Sequence, residues 1–198
     1  MQIDKQNQIP KEKVPFKKRF LSLLTDLLYV GIAIGIALLI QRFIGRPFIV
    51  NGTSMDPTFK NYEYLLIDEI TYDFKLPQRG EVIVFKAPPE PNKYYIKRIV
   101  GLPGDTVTIT GSVITISNST NPKGFVLPEG YITHTENDSG TYVVPKDEYF
   151  VMGDNRTGSY DSRSWGMLPK ANIDGRVFMR LLPVQRLGIF PGEEIYGK

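Results

Sequence analysis

Phe20 to Ile40 is one apolar run, interrupted by a single carboxylate at Asp26 and closed by Gln41 and Arg42. A bilayer's hydrocarbon core takes roughly 20 helical residues to cross, and backbone inside it stays paired only as a helix or a closed barrel. The run therefore predicts one transmembrane helix over 20–42, and residues 43–198 must fold on a single side of the membrane. Lys11, Lys13, Lys17, Lys18 and Arg19 precede it. That bias holds a basic tail, 1–19, in the cytoplasm and puts 43–198 on the outer face. A cleavable secretory signal has the same basic-then-apolar order. No small-x-small site follows Ile40, however, and Arg42, Phe43 and Arg46 are poor neighbours for one, so the segment reads as an uncleaved anchor. Gly31 and Gly35 form a GxxxG, a pairing pattern that membrane helices also carry without pairing.

Beyond Ile44 the pattern changes to short β-like runs broken by Gly, Pro, Asn and Asp, which predicts a mainly β domain of antiparallel sheets. The candidate strands are Phe48 to Val50, Glu63 to Ile67, Glu81 to Phe85, Tyr94 to Val100, Thr106 to Thr110, Val113 to Ser117, Glu148 to Met152 and Arg176 to Leu181. Lys86 to Lys93, with Pro88, Pro89 and Pro91, reads as a hairpin connection or surface loop. Ser117 to Ser139 is polar and turn-rich and reads as an excursion from the core. At 41% hydrophobic residues the chain can bury a core.

Composition restricts the chemistry. With no cysteine and one histidine, a disulfide framework, thiol catalysis and multi-histidine metal sites are excluded, and no metal or cofactor is expected. A net charge of +3 is too small to argue for nucleic acid. The histidine, His134, lies in the polar excursion and reads as a surface imidazole. A nucleophilic serine in such a chain would have to give its proton to something other than imidazole, and lysines are available.

Three segments could carry such chemistry. In Asn51-Gly52-Thr53-Ser54-Met55-Asp56-Pro57-Thr58, Gly52 permits backbone that other residues avoid and Pro57 stiffens the exit, so the loop can aim the Ser54 hydroxyl and a backbone N–H together. The same residues also describe an ordinary serine-containing turn. In Tyr94 to Val100, strand alternation puts Tyr95, Lys97 and Ile99 on one face. An apolar face could lower Lys97 by two pKa units at roughly 2.7 kcal/mol, enough to leave some of it neutral, whereas a half-exposed strand would let it snorkel and stay charged. In Gly153 to Gly166, Asp154, Arg156, Asp161 and Arg163 read either as a turn locked by carboxylate–guanidinium pairs or as a solvated polar loop. Asp154 and Asp161 make a poor acid pair for glycoside hydrolysis, because adjacent arginines depress carboxyl pKa values.

Taken together and in this order behind an anchor, Gly52 to Thr58, Tyr95-Ile96-Lys97-Arg98-Ile99-Val100-Gly101-Leu102-Pro103-Gly104-Asp105, and Gly153 to Arg163 resemble the nucleophile, lysine and last boxes of the bacterial type I signal peptidases. The short, single-anchor Gram-positive form is the most similar, and the resemblance runs from about Phe20 to the end. It implies a β-rich catalytic domain over 43–198 with a small insertion around 106–141. It further implies a Ser/Lys dyad, with Ser54 attacking the scissile carbonyl through an acyl-enzyme and Lys97 as the base. Ser159 matches the serine that hydrogen-bonds the lysine. Asp161, Arg163, Asp154, Arg156 and Arg98 match supporting positions that form ion pairs. One departure is Gly52, where some members place a serine whose hydroxyl helps hold the oxyanion; the second donor is then a backbone group near Gly52.

The implied substrates are secretory preproteins with small-x-small cleavage sites, met at the membrane surface as an added strand. Gln41 to Thr53 spans at most about 45 Å, which keeps Ser54 near the lipid. The self-cleaving SOS-response repressors share a related Ser/Lys arrangement but carry a DNA-binding domain in place of an anchor. The reading of another class is a noncatalytic, membrane-tethered β module assisting protein export.

Overall fold

The computed structural model describes residues 16–132, 137–194 and 196, with the side chains of 17 and 20–36 in its first helix. His134 and most of the basic tail lie outside the described residues, as do the side chains of Gln41 and Arg42. The chain divides into two compact units, Met1–Arg42 and Phe43–Lys198.

The first unit is dominated by helix α1, Phe16–Ile44. Leu, Ile, Ala and Val fill its middle without a proline, so nothing breaks the hydrogen-bond ladder. Its described apolar side chains, from Phe20 through Ile36, are exposed on every side. The helix covers the predicted range 20–42, yet among the described residues no helix is long and apolar enough to cross a membrane.

Among the described residues the second unit is built from twelve strands. In chain order these are β1 Arg46–Ile49, β2 Tyr64–Asp68, β3 Val82–Ala87, β4 Glu90–Gly101, β5 Thr106–Gly111 and β6 Val113–Ser117. They continue as β7 Phe125–Val126, β8 Asp138–Val143, β9 Glu148–Met152, β10 Leu168–Pro169, β11 Ile173–Leu182 and β12 Gly188–Ile189. One sheet runs β1-β2-β11-β3-β4-β9-β10 with β12 beside β11, and a second runs β7-β6-β5-β8. Every pairing is antiparallel. The β-rich expectation is met, and the strand boundaries agree to within a few residues. The two-residue strands β7, β10 and β12 and the polar strand β8 were not among the candidates, and the Lys86–Lys93 connection is shorter than expected. Strand β4 begins at Glu90, with Ala87 opposite Glu90, so Pro88 and Pro89 make a tight turn and the rest of the expected loop is strand.

The central strand explains the packing. β3 reads Val-Ile-Val-Phe, apolar without alternation, because both of its faces are covered. Val82 and Val84 join a cluster with Val50, Met55, Phe59, Leu65 and Ile96. Ile83 and Phe85 turn the other way, to Ile99, Tyr149, Val151 and Leu168. A third cluster joins the sheets, with Val100, Phe150 and Met152 meeting Val107, Ile109, Ile114, Ile116 and Leu127. Leu127 thus carries the polar excursion back into the core. Phe85 packs edge-on against Tyr95 at 6.3 Å and tilted against Trp165 at 6.1 Å between ring centroids. Phe85→Ala is expected to cost about 3–5 kcal/mol, readable as a lower urea midpoint in the fluorescence of Trp165, the single tryptophan.

Candidate active site

Strand β1 delivers the chain to Val50, which is buried and pinned to a neighbouring segment by Val50 N to Glu63 O at 2.9 Å and Tyr62 N to Val50 O at 2.8 Å. The chain then turns. Gly52 has φ +109°, a region L side chains avoid, and its N–H donates to Asn61 Oδ1 at 2.9 Å. Thr53 O accepts from Asp56 N at 3.1 Å, and Met55 O from Phe59 N at 2.8 Å. Met55 and Phe59 are both fully buried. Two core side chains therefore anchor the turn from below and hold Ser54, half-buried, at the surface between them and exposed Thr53.

Lys97 arrives from β4, 4% exposed. Its Nζ lies 2.7 Å from Ser54 Oγ and donates to Ile96 O at 2.9 Å. The Tyr95 ring centroid is 5.4 Å away. Burial pushes the ammonium down to about 8, against an upward pull from the Asp161 and Asp154 carboxylates. Desolvation wins because both carboxylates have nearer partners, described next. With Lys97 neutral, the Ser54 hydroxyl donates to Nζ and the amine still has a hydrogen for Ile96 O.

The last segment wraps behind this pair. Arg98, on the strand face opposite Lys97, is fully buried and forks onto Asp154, Nε to Oδ1 at 2.9 Å and Nη2 to Oδ2 at 2.6 Å. Its Nη1 donates to Gly80 O at 2.9 Å and to Gly192 O, and the Tyr131 ring lies 4.0 Å from its Cζ. Thr58 Oγ1 donates to Asp154 Oδ2 at 2.5 Å, which ties the Ser54 turn to the same carboxylate. Asp161 is buried and caps the short helix α2, Ser162–Trp165, accepting from Arg163 Nε and Nη2 at 2.9 Å and from Gly153 N at 3.0 Å. Arg156 donates to Glu129 through both terminal nitrogens and to Gly153 O at 3.0 Å. Buried and multiply hydrogen-bonded, these are locked pairs and not a solvated loop.

Gly153 is where the last segment meets the Ser54 turn. A Cβ there would stand 2.2 Å from Ser159 Oγ and 2.4 Å from Ser54 O. Ser159 itself corrects an expectation. No hydrogen bond joins it to Lys97, whose contacts run to Ser54 and Ile96 instead, and among the described residues its buried Oγ has no partner. The expectation for Gly52 also changes, because its N–H is already taken by Asn61. Among the described residues no acceptor takes the Ser54 N–H.

A groove of about 260 Å³ opens beside Ser54 and Lys97, walled by Phe48, Tyr94, Tyr95 and Tyr160 and floored by Gly52, Thr53 and Ile96. Sequence reasoning missed Asn61, Thr58, Glu129, Tyr131 and Asn155. Only Asn155 left a local signal, an Asn-x-x-Gly turn in which Oδ1 accepts from Gly158 N at 3.1 Å. The others act across the fold.

The chain is similar to known proteins. Residues 23–182 match the family described as signal peptidase, peptidase S26. A signal peptidase I of Leptolyngbya laminosa is 38% identical over 167 residues, covering 80% of this chain and 79% of that one. A signal peptidase I P of Bacillus subtilis subsp. natto is 38% identical over 180 residues, covering 83% and 90%. Among solved structures, a signal peptidase I from Enterococcus faecalis aligns with a TM-score of 0.44 at 32% identity, covering 52% of this chain and 97% of that one.

The closeness at Gly153 sets a sharp expectation. Gly153→Ala should cut peptide cleavage by about a hundredfold or more, because the new methyl must displace the Ser54 carbonyl and misplacements of 1 Å carry such costs. Retained turnover in a peptidase assay would show that the turn can retreat.

Proposed function

The chain belongs to the signal peptidase family, peptidase S26, and we propose that Ser54 and Lys97 are the dyad with which it removes signal peptides from exported preproteins. The observation that carries this reading is the 2.7 Å contact between Ser54 Oγ and a buried lysine lowered to about 8. At pH 7 about a tenth of such a lysine is neutral, against well under a thousandth at its ordinary value.

The reaction follows from the geometry. Ser54 Oγ attacks the scissile carbonyl while its proton passes to Lys97 Nζ, and the charge developing on the carbonyl oxygen is met by the Ser54 N–H. Lys97 returns the proton to the leaving amine, and the mature protein's new N-terminus departs. Lys97 then deprotonates a water that attacks the acyl-enzyme, restoring the serine. Asp154, Arg98, Asp161, Arg163 and Arg156 touch neither proton nor substrate; they fix the strand and loop that carry the dyad.

The substrate enters as a strand. β4 pairs with β9 only from Arg98 onward, through Met152, Val151 and Phe150. The stretch Tyr94 to Lys97 is therefore open on that side, facing the groove. An extended peptide can hydrogen-bond there. Four aromatic walls leave room for small side chains, which supports cleavage after a small-x-small sequence.

Helix α1 supplies the anchor in this reading. At 29 residues it is about 43 Å long, enough to cross with its N-terminal basic residues on the cytoplasmic side and residues 43–198 outside. The enzyme then works as a single-pass protein of the cell membrane, in contact with lipid and with its preproteins. The buried, serine-bonded lysine disfavours the noncatalytic module, which has no use for a desolvated amine.

The test is cleavage of a purified preprotein by the full chain in lipid, with the product N-terminus sequenced. Ser54→Ala and Lys97→Arg are both expected to lose activity, the second because guanidinium stays protonated. For the intact chain, kcat/KM should rise tenfold per pH unit and level off with a midpoint near 8. Turnover in Lys97→Arg, or a flat profile from pH 6 to 9, would remove Lys97 as the base.

A further inference from the structure

Ser54 is held by its neighbours' backbone as much as by its own side chain, and one residue of the last segment does most of the holding. Asn155 Nδ2 donates to Thr53 O at 3.2 Å, and Asn155 N donates to Ser54 O at 3.0 Å. The two peptide groups flanking the Ser54 Cα are thereby both tied to a residue 101 positions away in sequence (155 less 54). The side chain is itself oriented. Its Oδ1 accepts from Gly158 N at 3.1 Å and from Thr157 Oγ1 at 3.2 Å. Those donors fix the amide so that the NH₂ end faces Thr53 O; the flipped amide would put two acceptors face to face there and two donors together at Gly158.

A trans peptide is planar, so the Thr53 C=O and the Ser54 N–H point in opposite directions. Whatever fixes the first aims the second. Thr53 O is fixed from one side, by Asp56 N at 3.1 Å and Asn155 Nδ2. The Ser54 N–H is thereby turned away from that side, with no acceptor among the described residues, at a peptide that borders the groove shared with Lys97. Thr53 is exposed and follows a glycine with φ +109°, so the local chain alone would let this peptide rotate.

We propose that Asn155 is a positioning residue for the oxyanion site: it acts through the Thr53–Ser54 peptide to aim the Ser54 N–H at the carbonyl oxygen under attack. The inference rests on Ser54 being the nucleophile. Asn155 touches no reacting atom, and its effect should appear in the transition state and not in substrate binding. Removing an oxyanion donor outright costs about a hundred- to a thousandfold in kcat. Misaiming one, with Asp56 N still on Thr53 O, should cost less, about ten- to a hundredfold.

The variant that isolates the effect is Asn155→Asp. It is isosteric, keeps an acceptor for Gly158 N and Thr157 Oγ1, keeps the backbone bond to Ser54 O, and replaces only the donor to Thr53 O with an oxygen. The full chain in detergent is assayed on a signal-peptide substrate at the pH plateau, so that any shift of Lys97 caused by the new charge drops out. A peptide aldehyde, whose adduct with serine carries the oxyanion, serves as the probe. The expected result is kcat down about ten- to a hundredfold, KM within about twofold, and aldehyde affinity weakened by the same factor as kcat. Unchanged kcat, a loss confined to KM, or a kcat loss with aldehyde affinity intact would each overturn the proposal. Asn155→Ala, measured below its own melting temperature, gives the same comparison if the aspartate fails to fold. Ser54→Ala is run alongside. Activity surviving in it would remove the nucleophile assignment, a failure visible separately from that of Asn155.

Discussion

The buried fork between Arg98 and Asp154 is the joint about which this domain is organised. Each partner is the immediate neighbour of a residue that touches the Ser54 turn: Arg98 of Lys97 on β4, where alternation sends neighbours to opposite sides, and Asp154 of Asn155 in the bend after β9. Clamping the two charges behind β4 thus holds the lysine and the asparagine together at that turn. Breaking one half of such a pair costs about 3–5 kcal/mol because the other is left charged and dry. Here the loss would also uncouple the strand that brings Lys97 from the loop that braces Ser54. Thr58, bonded to the same carboxylate, makes the turn around Ser54 a third party to the joint.

The arginines serve a second purpose. Lys97 is lowered by burial, yet Asp161 and Asp154 pull it back up. An unpaired carboxylate at that range would hold the ammonium charged and remove the base. Arg163 on Asp161 and Arg98 on Asp154 take up those negative charges, so the carboxylates can organise Gly153 and the short helix without stabilising the wrong form of the lysine. The same charges that fix the geometry would spoil the chemistry if left unbalanced, which accounts for two acids being matched by two arginines.

Much of this was legible in the sequence. The β-rich class followed from short apolar runs between turn residues, and Lys97 could be placed on a strand face with Tyr95 and Ile99 by alternation alone. What alternation could not give was the depth of that face, since a strand buried on both sides and one half exposed read alike until their neighbours are known. Asn61, Glu129 and Tyr131 were illegible for a similar reason, being polar residues in turn-rich stretches whose partners, Gly52, Arg156 and Arg98, lie in other segments. The Lys86–Lys93 segment was read as a hairpin connection and is one, but it was drawn too long: two of its prolines form the turn itself and Pro91 sits inside β4. Ser159 was assigned to the lysine by resemblance; in the structure it packs against Gly153.

The carbonyl of Gly192, 94 positions from Arg98 in sequence, completes the guanidinium's set of acceptors. The lysine's surroundings are therefore assembled from distant stretches of chain, and contacts of such separation form late in folding. Before they form, Lys97 is in water near its ordinary 10.5 and holds its proton, so the serine beside it is no more reactive than any other alcohol. A nascent or partly unfolded copy is chemically silent toward itself and toward the chains emerging around it. Hydrolytic power and the finished fold arrive together.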